Sequence, residues 1–260
     1  MASDAETGGR GRVLREFAAG AGLVAGRELR AIFDSPIAYI YGGVFLVLSG
    51  TTFMNAFFLE GVVDMSPWFE VLPFLLIPFV PAITMRSWSE EHAQGTVELL
   101  LTLPLEPLQV VAGKYAAALL YFVVVIAGSL PIVAMLAWLG EPDLGLILSG
   151  YLGALLLGAL FLASGQFLSS LTHNQIVAFV LAAMVAFLLV FSGHPRVVEI
   201  LDGLAPAWQP GTWLAESVSC LPHYQAFTGG LVGLDHLLYF ALLCAFFLWM
   251  TRVGLQRLKY

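Results

Sequence analysis

Charge is what this 260-residue chain has least of. Asp, Glu, Lys and Arg make up only 11% of it, against about 25% in a soluble domain. That shortage excludes an ordinary water-soluble domain. With 59% hydrophobic residues and a mean hydropathy of +0.88, the chain reads as a polytopic membrane protein with one membrane domain. Cysteine is nearly absent. Cys220 falls in a loop and Cys244 in a hydrophobic run, so no disulfide framework is expected. A cleavable leader is not expected either, because residues 1–11 are polar and rich in small residues.

Catalytic motifs are missing as well. Neither H-E-x-x-H nor G-x-S-x-G occurs. Gly113-Lys114 is not a P-loop, since residue 108 is Leu where glycine is needed and Tyr115 replaces Ser or Thr. Glu90-Glu91 matches the start of the E-E-x-x-x-R pattern of membrane-embedded proteases, but Gly95 occupies the arginine position. His92, His173, His194, His223 and His236 fall on both sides of the expected membrane, which argues against a single metal site. The chain is expected not to be an enzyme in its own right.

What is present is a series of apolar runs. A helix needs about 20 apolar residues to cross the hydrocarbon. Six stretches qualify: 37–59, 68–85, 115–138, 144–171, 176–193 and 237–251. The second is short and is expected to be broken by Pro73, Pro78 and Pro81. Glu70, near its outer end, is the only acid within a span, which leaves little for an ion-coupled transporter to work with. Gly150, Ala154 and Gly158, with Gly165 and Ser169 beyond, form a small-residue stripe that predicts close helix packing. Asn55, Ser164 and Gln166 are expected to make interhelical hydrogen bonds.

Six spans put both termini on one side. That side collects Arg10, Arg12, Arg15, Arg27, Arg30, Arg86, Lys114, Arg252, Arg257 and Lys259, and only Arg196 lies opposite. The positive-inside rule then makes both termini cytoplasmic. Glu60, Asp64, Glu141, Asp143, Glu199, Asp202, Glu216 and Asp235 fall outside, and Trp68, Trp138, Trp208 and Trp213 mark the outer boundary. Residues 1–12 read as a disordered tail and 13–260 as the membrane domain. Val13–Phe33 reads as an interfacial amphipathic helix, turned into the membrane at Pro36. The half-apolar stretch 194–236 predicts short outer helices dipping partly into the bilayer.

The most informative segment is Arg86–Pro104, a charged break between apolar spans on the basic side. A helix start is predicted near Ser87, with Glu90 reaching back to it. Gly95 interrupts, Thr96 caps a second short helix carrying Glu98, Leu99 and Leu100, and Pro104 ends it. The leucines need something to bury against.

Three blocks resemble the permease subunit of type-2 ABC exporters. They are Arg27-Glu-Leu-Arg-Ala-Ile-Phe-Asp-Ser-Pro-Ile-Ala-Tyr39; Met85-Arg86 with Glu90-Glu91, Gly95-Thr96-Val-Glu98-Leu-Leu-Leu-Thr-Leu-Pro104 and Gly113-Lys114; and His223-Tyr-Gln-Ala-Phe-Thr-Gly-Gly230. The first and third are most similar to the gliding-motility-type and nitrous-oxide-accessory-type six-span permeases. The resemblance implies an all-α membrane domain with an elbow helix and a cytoplasmic coupling helix. That helix, with Glu90, Glu91, Gly95, Thr96, Glu98, Leu99 and Leu100, is implied to contact two cytosolic ABC ATPases. The chain itself carries no cofactor; ATP and Mg belong to the ATPase. A second permease, identical or related, is implied beside it in the cell's inner or plasma membrane, with lipid and no nucleic acid as surroundings. A contrasting function is a non-transporting anchor that couples an ATPase to an envelope or motility machine.

Overall fold

The computed structural model describes residues 2–61, 63–96, 106–206 and 208–257, with side chains from Arg15 onward except at 60 and 257. Twelve helices and no strand occur among them. Helix α1 (Ala2–Asp34) runs back through the stretch read as a disordered tail. Helix α2 (Pro36–Glu60) starts where expected, with Ser35 extended ahead of Pro36 at the first helical position.

Helix α3 (Ser66–Thr84) corrects the expectation of a broken span. It is continuous through Pro73, Pro78 and Pro81. Neighbouring helices hold such a span together: Leu72, Pro73, Leu76, Val80 and Pro81 are all buried. The third span differs in both its ends and its course. Helix α5 (Pro107–Ala127) begins before Lys114, and a break at Gly128–Ser129 precedes α6 (Leu130–Leu139). Pro131 cannot donate in the first turn of α6, and Ser129 Oγ meets Ile126 O and Tyr151 OH at 2.7 Å each across the break.

Helices α7 (Leu144–Ser169), α8 (Gln175–Phe191) and α12 (Leu234–Arg257) complete the long elements. Among the described residues, five stretches are long and apolar enough to cross a membrane, and a sixth exists if α8 and α9 (Pro195–Leu204) count as one span bent by 77°. Asp143 caps α7 by accepting from Gly145 N–H and Leu146 N–H. The remaining short helices are α4 (Ser89–Gln94), α10 (Pro210–Ser217) and α11 (Leu221–Thr228).

Helix α7 is the hub of the bundle. Its apolar window is 61% buried, against 22% for α2 and 11% for α12. The small-residue stripe makes that possible. A Cβ on Gly150 would sit 2.5 Å from Phe69, on Gly158 2.1 Å from Phe122, and on Gly165 2.2 Å from Thr84. Of the three polar groups expected to bond between helices, only Gln166 does so, donating to Val111 O at 3.1 Å. Ser164 and Asn55 instead donate to Phe161 O and Thr51 O of their own helices, which satisfies them locally. Trp68 is also corrected. It is only 1% exposed, packed on Phe69 and Tyr151, while Trp138, Trp208 and Trp213 remain well exposed.

Candidate functional site

At the end of α3, the chain leaves the apolar bundle through Met85–Trp88 and forms α4. Short helices are unstable without partners for their first N–H groups. Neither the expected Ser87 nor any other local side chain caps α4; Trp88 holds the capping position without a side-chain bond. The cap arrives from α7 instead. Ser169 Oγ accepts from Trp88 N–H at 3.1 Å and Ser89 N–H at 3.2 Å, and donates to Met85 O at 3.1 Å. Gly95, at φ +68°, ends the helix by donating to Glu91 O and His92 O.

Beneath α4 lies a small second core of Val24, Trp88, Val110, Val111 and Leu255. It joins α1, α5 and α12 to the start of α4. Trp88 has no exposed surface. Gly113 lets α1 approach: a Cβ there would lie 2.7 Å from both Ala21 O and Val24 Cβ. Gln109 completes that contact, closing a capping box with Glu106 and reaching Glu16 O at 3.5 Å.

Lys114 stands at the centre of this junction, with its side chain 3% exposed. A buried ammonium needs partners on all sides. Its Nζ donates to Ser87 O and to Glu91 Oε1, both at 2.8 Å, and lies 3.5 Å from Glu28 Oε1. It also sits 4.8 Å from the centre of the Trp88 ring. Arg27 adds contacts to Glu28 at 2.6 Å and Glu91 at 3.8 Å. One lysine thus ties α1, α4 and α5 together. Arg86 and Glu90 form a forked pair at 2.9 and 3.2 Å along the rim. Glu28, Tyr41, Arg86, Glu90, Lys114 and Tyr121 border a cavity of about 230 Å³ beside it.

The expected contact residues fall as follows. Glu90 is on the rim pair and Glu91 in the Lys114 junction. Gly95 ends α4, and Thr96 donates to Glu91 O at 3.4 Å. Glu98, Leu99, Leu100 and the second short helix lie outside the described residues. His92 meets His173 of the α7–α8 turn, with ring centroids 5.1 Å apart. Among the described residues no group of three or more His, Cys, Asp or Glu side chains gathers around a metal position. Sequence reading missed Trp88, Ser169 and Glu28 as parts of the site. It placed Gly113-Lys114 only at the start of the third span, not at the centre of this junction.

Apolar spans around a hub helix define a multi-pass membrane protein, with a polar junction at one end. The family described as ABC-2 family transporter protein matches residues 24–251, and the chain belongs to that family. It is therefore a membrane component of an ABC transporter, and the family implies association with an ABC ATPase partner. No curated protein matches the chain.

The trans cap can be tested directly. Ser169→Ala leaves the Trp88 and Ser89 N–H groups without their partner, while Met85 O keeps the Ser89 hydroxyl. The expected loss is about 1–3 kcal/mol of stability, the usual cost of stranding a buried polar group. The measurement is melting of the detergent-solubilised protein, with faster amide exchange at Trp88 and Ser89. An unchanged melting point would assign α4 another source of order.

Proposed function

We propose that this chain is the permease subunit of an ABC exporter, of the gliding-motility and nitrous-oxide-accessory type. Two copies, or this chain and a related one, embrace a path across the inner membrane. Two cytosolic ATPases bind beneath them. ATP closes the ATPases, and the 86–104 segment transmits that motion to the spans. The Lys114 junction is the observation that carries this reading. A charged helix facing the basic side is bonded to two neighbouring helices, so force applied to α4 reaches α1 and α5 through short polar contacts. Leu99 and Leu100 supply apolar anchors for a groove on the ATPase, and Glu91 and Glu98 supply orienting charge.

Topology is the first test of this reading. The ten-to-one distribution of Lys and Arg supports an orientation with α4 and both termini in the cytoplasm and α9 to α11 outside. Single cysteines at Gln94 and Glu141, both exposed, are introduced with Cys220 and Cys244 replaced by alanine. A membrane-impermeant maleimide applied to intact cells is expected to label Glu141→Cys and to spare Gln94→Cys until the membrane is opened. Labelling of Gln94→Cys from outside would put the coupling segment on the wrong side and end the proposal.

A further inference from the structure

Between α11 and α12 the chain turns through Gly229 and Gly230, the latter at φ +82°. Two histidines close this turn. His223 Nδ1 and His236 Nδ1 lie 2.8 Å apart. The His223 ring stacks on Tyr239 with centroids 4.0 Å apart, and Tyr239 OH donates to Val218 O at 2.7 Å. Asp235 Oδ2 lies 3.6 Å from His236 Nδ1 and is largely exposed.

We propose that this histidine pair is an acid-opened clasp between α11 and the head of α12. The chemistry rests on proton count. Two imidazole nitrogens at this distance share one proton: one ring donates N–H and the other offers its lone pair. With both rings neutral the contact is satisfied. One added proton makes it an imidazolium–imidazole bond, which Asp235 favours. A second added proton turns both nitrogens into donors facing each other, and the contact must open.

Few other groups bear on the pair. Helix α11 packs against α3, α7, α8, α10 and α12. Glu70 of α3 and Glu216 of α10 are exposed, α8 has no titratable residue, and Tyr151 of α7 is bonded to Ser129. Within α11, Tyr224 OH donates to Phe69 O at 2.8 Å, and ahead of it Cys220 Sγ donates to Leu189 O at 3.4 Å. Farther along α12 lie Cys244, whose Sγ is bonded to Tyr115, and the two cationic residues Arg252 and Arg257. Burial holds His223 below the usual imidazole range, the charge of His236 lowers it further, and Asp235 opposes both. A histidine lowered in the folded state stabilises above its unfolded pKa and loses that contribution as pH falls through its folded pKa. The clasp is therefore shut at neutral pH and opens on acidification.

Opening frees the head of α12 from α11, while the Tyr224 and Cys220 bonds keep α11 on the bundle. The clasp stands on its own geometry. That it samples the outer compartment rests on the proposed topology, which the cysteine labelling tests separately.

The experiment is amide exchange on the full chain in nanodiscs from pH 8 to 5, with EDTA present and rates corrected for intrinsic chemistry. Gly230, Leu231 and Leu237 report the turn, through their bonds to Phe227, Ala226 and Gly233. Wild-type exchange there is expected to rise about tenfold at the acid end, the equivalent of one pKa unit. His223→Phe keeps a ring over Tyr239 and removes the nitrogen; it is expected to exchange fast already at pH 8 and to show no acid rise. Asp235→Asn is expected to move the midpoint to lower pH. A flat wild-type profile, or a His223→Phe profile that rises like the wild type, would overturn the clasp. If His223→Phe does not fold, the wild-type profile and His236→Phe decide by the same criteria.

Discussion

Replacing Lys114 by methionine is expected to destabilise the chain by about 3 kcal/mol and to detach α4 from α1 and α5. Methionine preserves most of the stem and its packing. What is lost is the cation that Glu91, Glu28 and Ser87 O share. Breaking one side of a buried pair costs about 3–5 kcal/mol. The lower end applies because Glu91 and Glu28 retain 19% and 23% side-chain exposure. Neutralising the stranded acid with Glu91→Gln in the same chain is expected to return part of that loss. Melting and denaturant unfolding of the two single variants and the double variant check this. Losses that simply add would mean that the two residues do not interact.

Gly158→Leu is expected to prevent accumulation of the folded protein. Between membrane helices no water is expelled, so association depends on packing and close approach. At Gly158 even a Cβ would lie 2.1 Å from the Phe122 ring, and Phe122 is itself fully buried. Overpacking a tight core costs about 1–3 kcal/mol or more, and a leucine adds three further carbons at that point. The milder Gly158→Ala tests the mechanism. Its damage is expected to shrink when Phe122→Leu is made alongside, because both changes act on one gap. Measured by folded yield and melting, a Gly158→Ala protein as stable as the wild type would contradict the close approach.

How much of this was legible beforehand depends on the range of the interaction. Apolar runs are local, and the sequence expectations placed the long helices within a few residues. The exceptions are α1, which begins before Val13, α12, which runs on past Thr251, and α5, whose first turns hold Lys114 in an otherwise apolar run. The neutralising partner of Lys114, Glu91, lies 23 positions away, so no local window can see it. Ser169 is 81 positions from the N–H of Trp88 that it caps. The reading of Ser87 as the cap failed for that reason: a local hydroxyl was available, but a distant one held the site. The prolines of α3 misled in the opposite direction. Their local effect is real, but buried contacts with other helices keep the helix continuous. Trp68 shows the same limit, since an aromatic residue near a span end reads as a boundary marker whether it faces lipid or Tyr151. The His223–His236 contact depends on the turn at Gly230, and sequence alone does not show how tightly that turn closes.

On the proposed reading, the 86–104 segment is where an ATPase takes hold. That role is tested most directly by measuring binding of the partner ABC ATPase to the Leu99→Ala protein, alongside the melting curve of the same sample. Removing a buried leucine anchor is expected to weaken binding by roughly 1–3 kcal/mol, with the melting point of the permease unchanged. Normal ATPase binding with only a lowered melting point would mean that Leu99 packs against the permease itself, and would contradict the coupling role.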